Sequence, residues 1–73
     1  MPKLPVVSGK ECRKALMRLG FTEVRQRGSH VVMRRGESGC VVPLHAGIKT
    51  GTLAGILRQA GVFTEEFIAA LGP

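Results

Sequence analysis

The amino-acid sequence predicts an α+β fold: a helix, a three-stranded antiparallel sheet, a second helix and a short C-terminal helix, with the helices on one face of the sheet. Three observations carry this expectation. Cys12, Ala15, Leu16 and Leu19 repeat at the i, i+3, i+4, i+7 spacing of one helix face. Between Phe21 and Leu44 the period changes to short β-branched clusters, Val24, then Val31 with Val32, then Val41 with Val42, separated by glycines. After Thr50 the helical spacing returns in Leu53, Ile56, Leu57 and Ala60. Two apolar helix faces and one sheet bury best with both helices on the same side, which leaves the other side of the sheet open.

Each element has a local cause. Ser8-Gly9-Lys10-Glu11 has the form of a capping box, so the first helix begins at about Gly9, with Lys10, Arg13, Lys14 and Arg18 off its apolar face. Gly20 ends it and Phe21 folds back on its last turn. The strands are expected at about Thr22 to Arg27, Ser29 to Arg35 and Cys40 to Leu44, joined by turns at Gly28 and at Gly36-Glu37-Ser38-Gly39. On the second strand, alternation groups His30, Val32 and Arg34 on one face and Val31 with Met33 on the other. Thr50 is the expected cap of the next helix, which Gly61 closes. A final helix follows Thr64, with Glu65 and Glu66 near its positive end and Phe67, Ile68 and Leu71 available for burial. This order is also that of double-stranded-RNA-binding domains, although topology alone does not establish function.

Length and composition limit what the chain can be. Its 73 residues are read as one domain, 1–73, since a chain this short has room for one modest core. With 44% apolar and 22% charged residues it suits a folded soluble domain rather than a disordered one. The uninterrupted apolar stretches are short, such as Val31 to Met33, whereas a membrane helix needs about 20 residues, so no membrane span is expected. The run Met1-Pro2-Lys3-Leu4-Pro5-Val6-Val7 lacks the form of an export leader. Cys12 and Cys40 lie among apolar neighbours and read as buried, reduced thiols, which points to the cytoplasm. The spacings of Cys12, His30, Cys40 and His45 match no familiar zinc finger or ribbon, and neither a metal nor a small-molecule cofactor is expected.

The net charge of +6 is uneven. Residues 1–49 carry ten Lys and Arg against three acids, while residues 50–73 carry one Arg against two Glu. Such a basic body attracts polyanions, of which nucleic acid is the commonest in cytoplasm; the plain alternative is a solvated, soluble surface. The chain has no Trp or Tyr, and its three Phe are expected in the core, so base stacking of the kind that reads single strands is disfavoured. Lys and Arg gripping phosphates and 2′-hydroxyls of structured RNA remain.

Catalytic candidates are few. Five scattered acids assemble no Ser-His-Asp set, and no phosphate-binding glycine loop is present. Histidine is left. His30 starts the second strand and His45 follows the third; because adjacent strands run antiparallel, both imidazoles are expected at one edge of the sheet. An imidazole with an unperturbed pKa near 6.5 can take a proton from a ribose 2′-hydroxyl and deliver one to the leaving 5′-oxygen without a metal. Arg27, Arg34 and Lys49 are candidates to hold the phosphate as charge builds on it. The competing readings are a packing or surface role for His30, a turn-fixing or phosphate-contacting role for His45, and plain turn chemistry for Ser29, which is otherwise placed to orient His30 or touch phosphate.

Ser8-Gly9-Lys10-Glu11, Leu19-Gly20-Phe21, Arg27-Gly28-Ser29-His30, Val42-Pro43-Leu44-His45 and the run from Gly51 to Gly61 together resemble the HicA toxins in order and spacing, over nearly the whole chain. The resemblance implies a double-stranded-RNA-binding-domain-like fold, an endoribonuclease (mRNA interferase) acting in a toxin–antitoxin pair, messenger RNA as substrate and a HicB-type antitoxin as partner. It places the family's active histidine at His30. Members often have a second histidine directly after it; here that residue is Val31, so any role of that position is missing. His45 falls where the family commonly has histidine. The alternatives are a double-stranded-RNA-binding module without catalysis, and a basic face that chiefly docks an acidic protein.

Overall fold

The computed structural model describes residues 3–72; Met1 and Pro2, part of the run read for leader character, and Pro73 lie outside them. The chain forms α1 (Gly9–Arg18), β1 (Thr22–Arg27), β2 (His30–Arg35), β3 (Ser38–Pro43), α2 (Thr50–Ala60) and α3 (Thr64–Leu71). The strands form one antiparallel sheet in the order β1-β2-β3. This is the helix–sheet–helix arrangement of a double-stranded-RNA-binding-domain-like α+β fold. No helix among the described residues is long and apolar enough to cross a membrane.

Local chemistry sets the element ends. The Ser8 hydroxyl accepts from the Glu11 N–H at 3.1 Å, and the Glu11 carboxylate accepts from the Ser8 N–H at 2.8 Å, closing the expected capping box. At the other end of α1, Phe21 N–H donates to the Leu16 carbonyl and Gly20 N–H to that of Met17, so both orphan carbonyls are satisfied as the chain turns into the sheet. The turn joining β2 to β3 is tighter than expected. Arg35 pairs with Ser38, which confines the loop to Gly36 and Glu37 and starts β3 two residues before Cys40. Thr50 is not the cap of α2. Lys49 occupies that position with extended backbone (φ −60°, ψ 143°) and no side-chain hydrogen bond, and Thr50 is already helical. Phe63 takes the corresponding place before α3, where its N–H donates to the Glu66 carboxylate at 2.9 Å.

The core lies between the sheet and the helices. Val31, Met33, Cys40 and Val42 supply the sheet's contribution, Cys12, Ala15 and Leu16 that of α1, and Leu53, Ile56, Leu57 and Ala60 that of α2, with Phe67 fully buried from α3. The expected helix stripes are therefore the buried ones, apart from Leu19, which packs at the margin. α2 lies chiefly on β3, and α1 sits between β3, β1 and α3. Both cysteines are buried and free. Desolvation pushes the Cys12 thiol up to about 12, with Cys40 adding a smaller contribution, and pushes Cys40 up to about 11. One aromatic departs from expectation. Phe21 and Phe67 are buried, but Phe63 is 74% exposed, because an extended residue ahead of α3 projects outward at the junction with α2.

Three arginines are occupied within the fold. Arg13 bridges α1 to Glu23 of β1 at 3.1 Å. Arg18 donates to the Ala70 and Leu71 carbonyls at 2.7 and 3.1 Å, tying down the C-terminal end of α3. Arg35 donates to the Leu19 carbonyl at 2.8 Å while its guanidinium lies 4.6 Å from the centre of the Phe21 ring.

Candidate active site

The two histidines meet at one end of the sheet. Gly28 and Ser29 form a two-residue hairpin loop in which Gly28 has φ +55°, a conformation that a β-carbon would strain, and His30 is the first residue beyond it. His30 faces Arg27 across one strand boundary and Pro43 across the other. The Ser29 carbonyl accepts from the Leu44 N–H at 2.6 Å, extending the ladder one step past β3, and His45 comes next. The ring centroids of His30 and His45 lie 6.3 Å apart with the planes inclined at 74°, and both side chains are exposed. Their proximity follows from antiparallel pairing, as the sequence led us to expect.

The loop carrying His45 is held by α1. Gly9 N–H donates to the His45 carbonyl at 2.8 Å, and Val7 pairs with Ile48, whose N–H donates to the Val7 carbonyl at 2.7 Å. Gly9 touches this segment so closely that a β-carbon on it would fall 2.5 Å from the Leu44 Cα and nearer still to the Pro43 carbonyl oxygen. A glycine at the first position of α1 therefore lets the helix start lie against the backbone that presents His45.

Directly paired residues on neighbouring strands share a face. Val31 and Met33 pair with Val42 and Cys40 on the buried side. The open side then carries three rows: Arg27, His30 and Pro43; Arg25, Val32 and Val41; Thr22, Arg34 and Gly39. Arg25, Arg27 and Arg34 are exposed, and the one salt bridge among the described residues involves none of them. Of the candidates drawn from the sequence, His30, His45, Ser29 and Arg27 come together, Arg34 stands on the same face four residues along β2, and Lys49 takes the cap position at the start of α2, four residues after His45. Arg25 was missed, although its two-residue spacing from Arg27 signalled a shared strand face. No three His, Cys, Asp or Glu side chains converge among the described residues.

A small α+β protein with helices on one side of its sheet, and two exposed histidines at the end of an open, arginine-bearing side, is the class that fold and site define. The family model described as the HicA toxin of bacterial toxin–antitoxin systems matches residues 9–62, most of the chain and every element from α1 through α2. The chain belongs to the HicA toxin family. Comparison with curated proteins gives no match. Membership makes the protein the toxin of a toxin–antitoxin pair, with an antitoxin as its partner.

Proposed function

We propose that the protein is a metal-independent endoribonuclease, an mRNA interferase of a type II toxin–antitoxin system, acting in the cytoplasm as one domain and neutralised by a HicB-type antitoxin. The observation that carries this reading is the 6.3 Å approach of His30 and His45 beside exposed, unpaired arginines in a chain of the HicA toxin family. In the proposed reaction the ribose 2′-oxygen attacks the adjacent phosphorus while its proton passes to an imidazole. The bond to the 5′-oxygen breaks, and that oxygen takes up a proton. The products are a 2′,3′-cyclic phosphate and a 5′-hydroxyl. His30 is assigned the acid–base chemistry, and His45 is the second group within reach of the same phosphate. Arg27, across from His30, offsets the charge that accumulates on the phosphoryl oxygens. Arg34 and Lys49 hold RNA further along, while Ser29 serves the turn through its backbone. An antitoxin that covers His30 and its neighbouring arginines would silence the enzyme.

The test is incubation of messenger RNA with the purified protein and with its His30→Ala form in EDTA, followed by sizing of the fragments. Cleavage by the parent and none by a folded His30→Ala protein is expected. Intact RNA with both, despite salt-sensitive binding, replaces the enzyme with a non-catalytic double-stranded-RNA-binding module; cleavage by both removes His30 from its role.

A further inference from the structure

β1 pairs with β2 through Thr22 with Arg34, Glu23 with Met33, Arg25 with Val32, Gln26 with Val31 and Arg27 with His30. Val24 has no partner: the register shifts across it, which makes it the extra residue of a β-bulge. The consequence concerns which way β1 points its charges. Under unbroken alternation from Glu23, which bridges to Arg13 on the helix side, Arg25 and Arg27 would lie on that same side. The bulge reverses the parity, so Glu23 keeps its place toward α1 while Arg25 and Arg27 turn onto the open side with His30. Arg25 stands one row from the histidine and Arg34 one row beyond. Successive same-face positions on a strand are about 6.8 Å apart, a spacing on which consecutive phosphates of an extended RNA strand can be followed. Exposed Val41 and half-buried Val32 lie in the middle row without a competing carboxylate.

We infer that Arg25, Arg27 and Arg34, set on one face by the strand register beyond the Val24 bulge, form an RNA-phosphate track leading to His30, with Arg25 as a substrate-binding residue. This rests on the proposed action on RNA and adds to it the residue and the register by which flanking phosphodiesters are held.

Fluorescence anisotropy of a labelled messenger-RNA fragment, titrated across salt concentrations with the His30→Ala protein as the uncleaving background, tests it. Each phosphate contact contributes about 0.7 to the slope of log affinity against log salt for a single strand. Arg25→Gln is expected to reduce the slope by about that amount, Arg25→Lys to restore it, and Arg58→Gln, at an exposed position of α2, to leave it alone. Deleting Val24 removes the unpaired residue and leaves every β1–β2 partner as it is, so this one-residue deletion is expected to fold and to keep the slope. Salt-dependent binding that ignores Arg25→Gln overturns the track while leaving an RNA-acting protein intact. If the parent neither binds nor cuts RNA, the functional reading falls and the track with it. A folded Val24-deleted protein that loses the slope also overturns the assigned register.

Discussion

Replacing Gly9 with alanine perturbs the site from outside it. The new β-carbon would lie 2.5 Å from the Leu44 Cα, against an ordinary carbon–carbon contact of about 3.5–4.0 Å, so the helix start and the segment from Pro43 to His45 have to separate by about 1 Å. Neither neighbour is a side chain that can swing aside. Overpacking of this kind costs about 1–3 kcal/mol, and the Gly9–His45 hydrogen bond, now 2.8 Å, contributes about 1 kcal/mol more if it is lost. Alanine's better helix propensity returns up to about 1 kcal/mol. A net loss of about 2 kcal/mol lowers the melting temperature of a domain this size by about 8–16 °C. Thermal unfolding by circular dichroism measures it, with Gly51→Ala as control because a β-carbon there meets nothing within 4 Å. Since the displaced segment carries His45, RNA cleavage at 20 °C should also fall in the fraction that remains folded. A Gly9→Ala protein that melts with the parent and cuts RNA equally well would refute the claimed close approach.

Other expectations follow from single contacts. Ser8→Ala removes one half of the capping box and should cost about 1 kcal/mol in urea unfolding. Hydrogen bonds from Ser8, first its backbone N–H and then its hydroxyl, hold the Glu11 carboxyl below its ordinary value. Its stabilising effect is therefore complete above the unfolded pKa and disappears as pH falls through the lower folded one, and a urea series from pH 6 to pH 3 should show that loss shrinking in Glu11→Gln. Burial raises Cys12 to about 12 and Cys40 to about 11, so the folded state holds neutral thiols; the associated stability is complete below about pH 9 and is lost as pH climbs toward those values. At pH 8 a disulfide reagent should leave both thiols untouched in the native protein and titrate two after denaturation; rapid native labelling would contradict their burial. Arg18→Ala frees the last turn of α3, and hydrogen exchange there should accelerate while β2 remains protected.

The parts of the fold legible in the sequence are those with a local or periodic cause. Ser8 and Glu11 state the start of α1 by themselves, and Leu53, Ile56, Leu57 and Ala60 state the buried stripe of α2. The meeting of His30 with His45 was legible because β2 and β3 run antiparallel from the turn at Gly36 and Glu37, which brings the end of β3 alongside the start of β2. β1 was different. All six of its residues are exposed, so no apolar alternation marks its faces, and an inserted residue that reverses them leaves no trace in the pattern. The bulge hides only how Glu23 relates to the rest of the strand; beyond it, the two-residue spacing of Arg25 from Arg27 already placed both arginines on one face. Phe63 misled for a related reason: its composition suggested burial, whereas its position before α3 decides its direction. Lys49 took the cap position expected of Thr50 because its backbone is extended, a tertiary outcome of the Val7–Ile48 bridge immediately before it that residue type alone does not encode.

The most direct measurement uses a messenger-RNA oligonucleotide cut by the protein, remade with a single 2′-deoxyribose on the 5′ side of the cut, with the ends of all products identified by mass spectrometry in EDTA. Histidine-driven attack by the 2′-oxygen predicts 2′,3′-cyclic phosphate and 5′-hydroxyl ends from the all-ribose strand, and no cut at the deoxy position. A deoxy strand cleaved at the same bond, or 5′-phosphate and 3′-hydroxyl ends, would mean that water attacks instead and would contradict the assignment of His30.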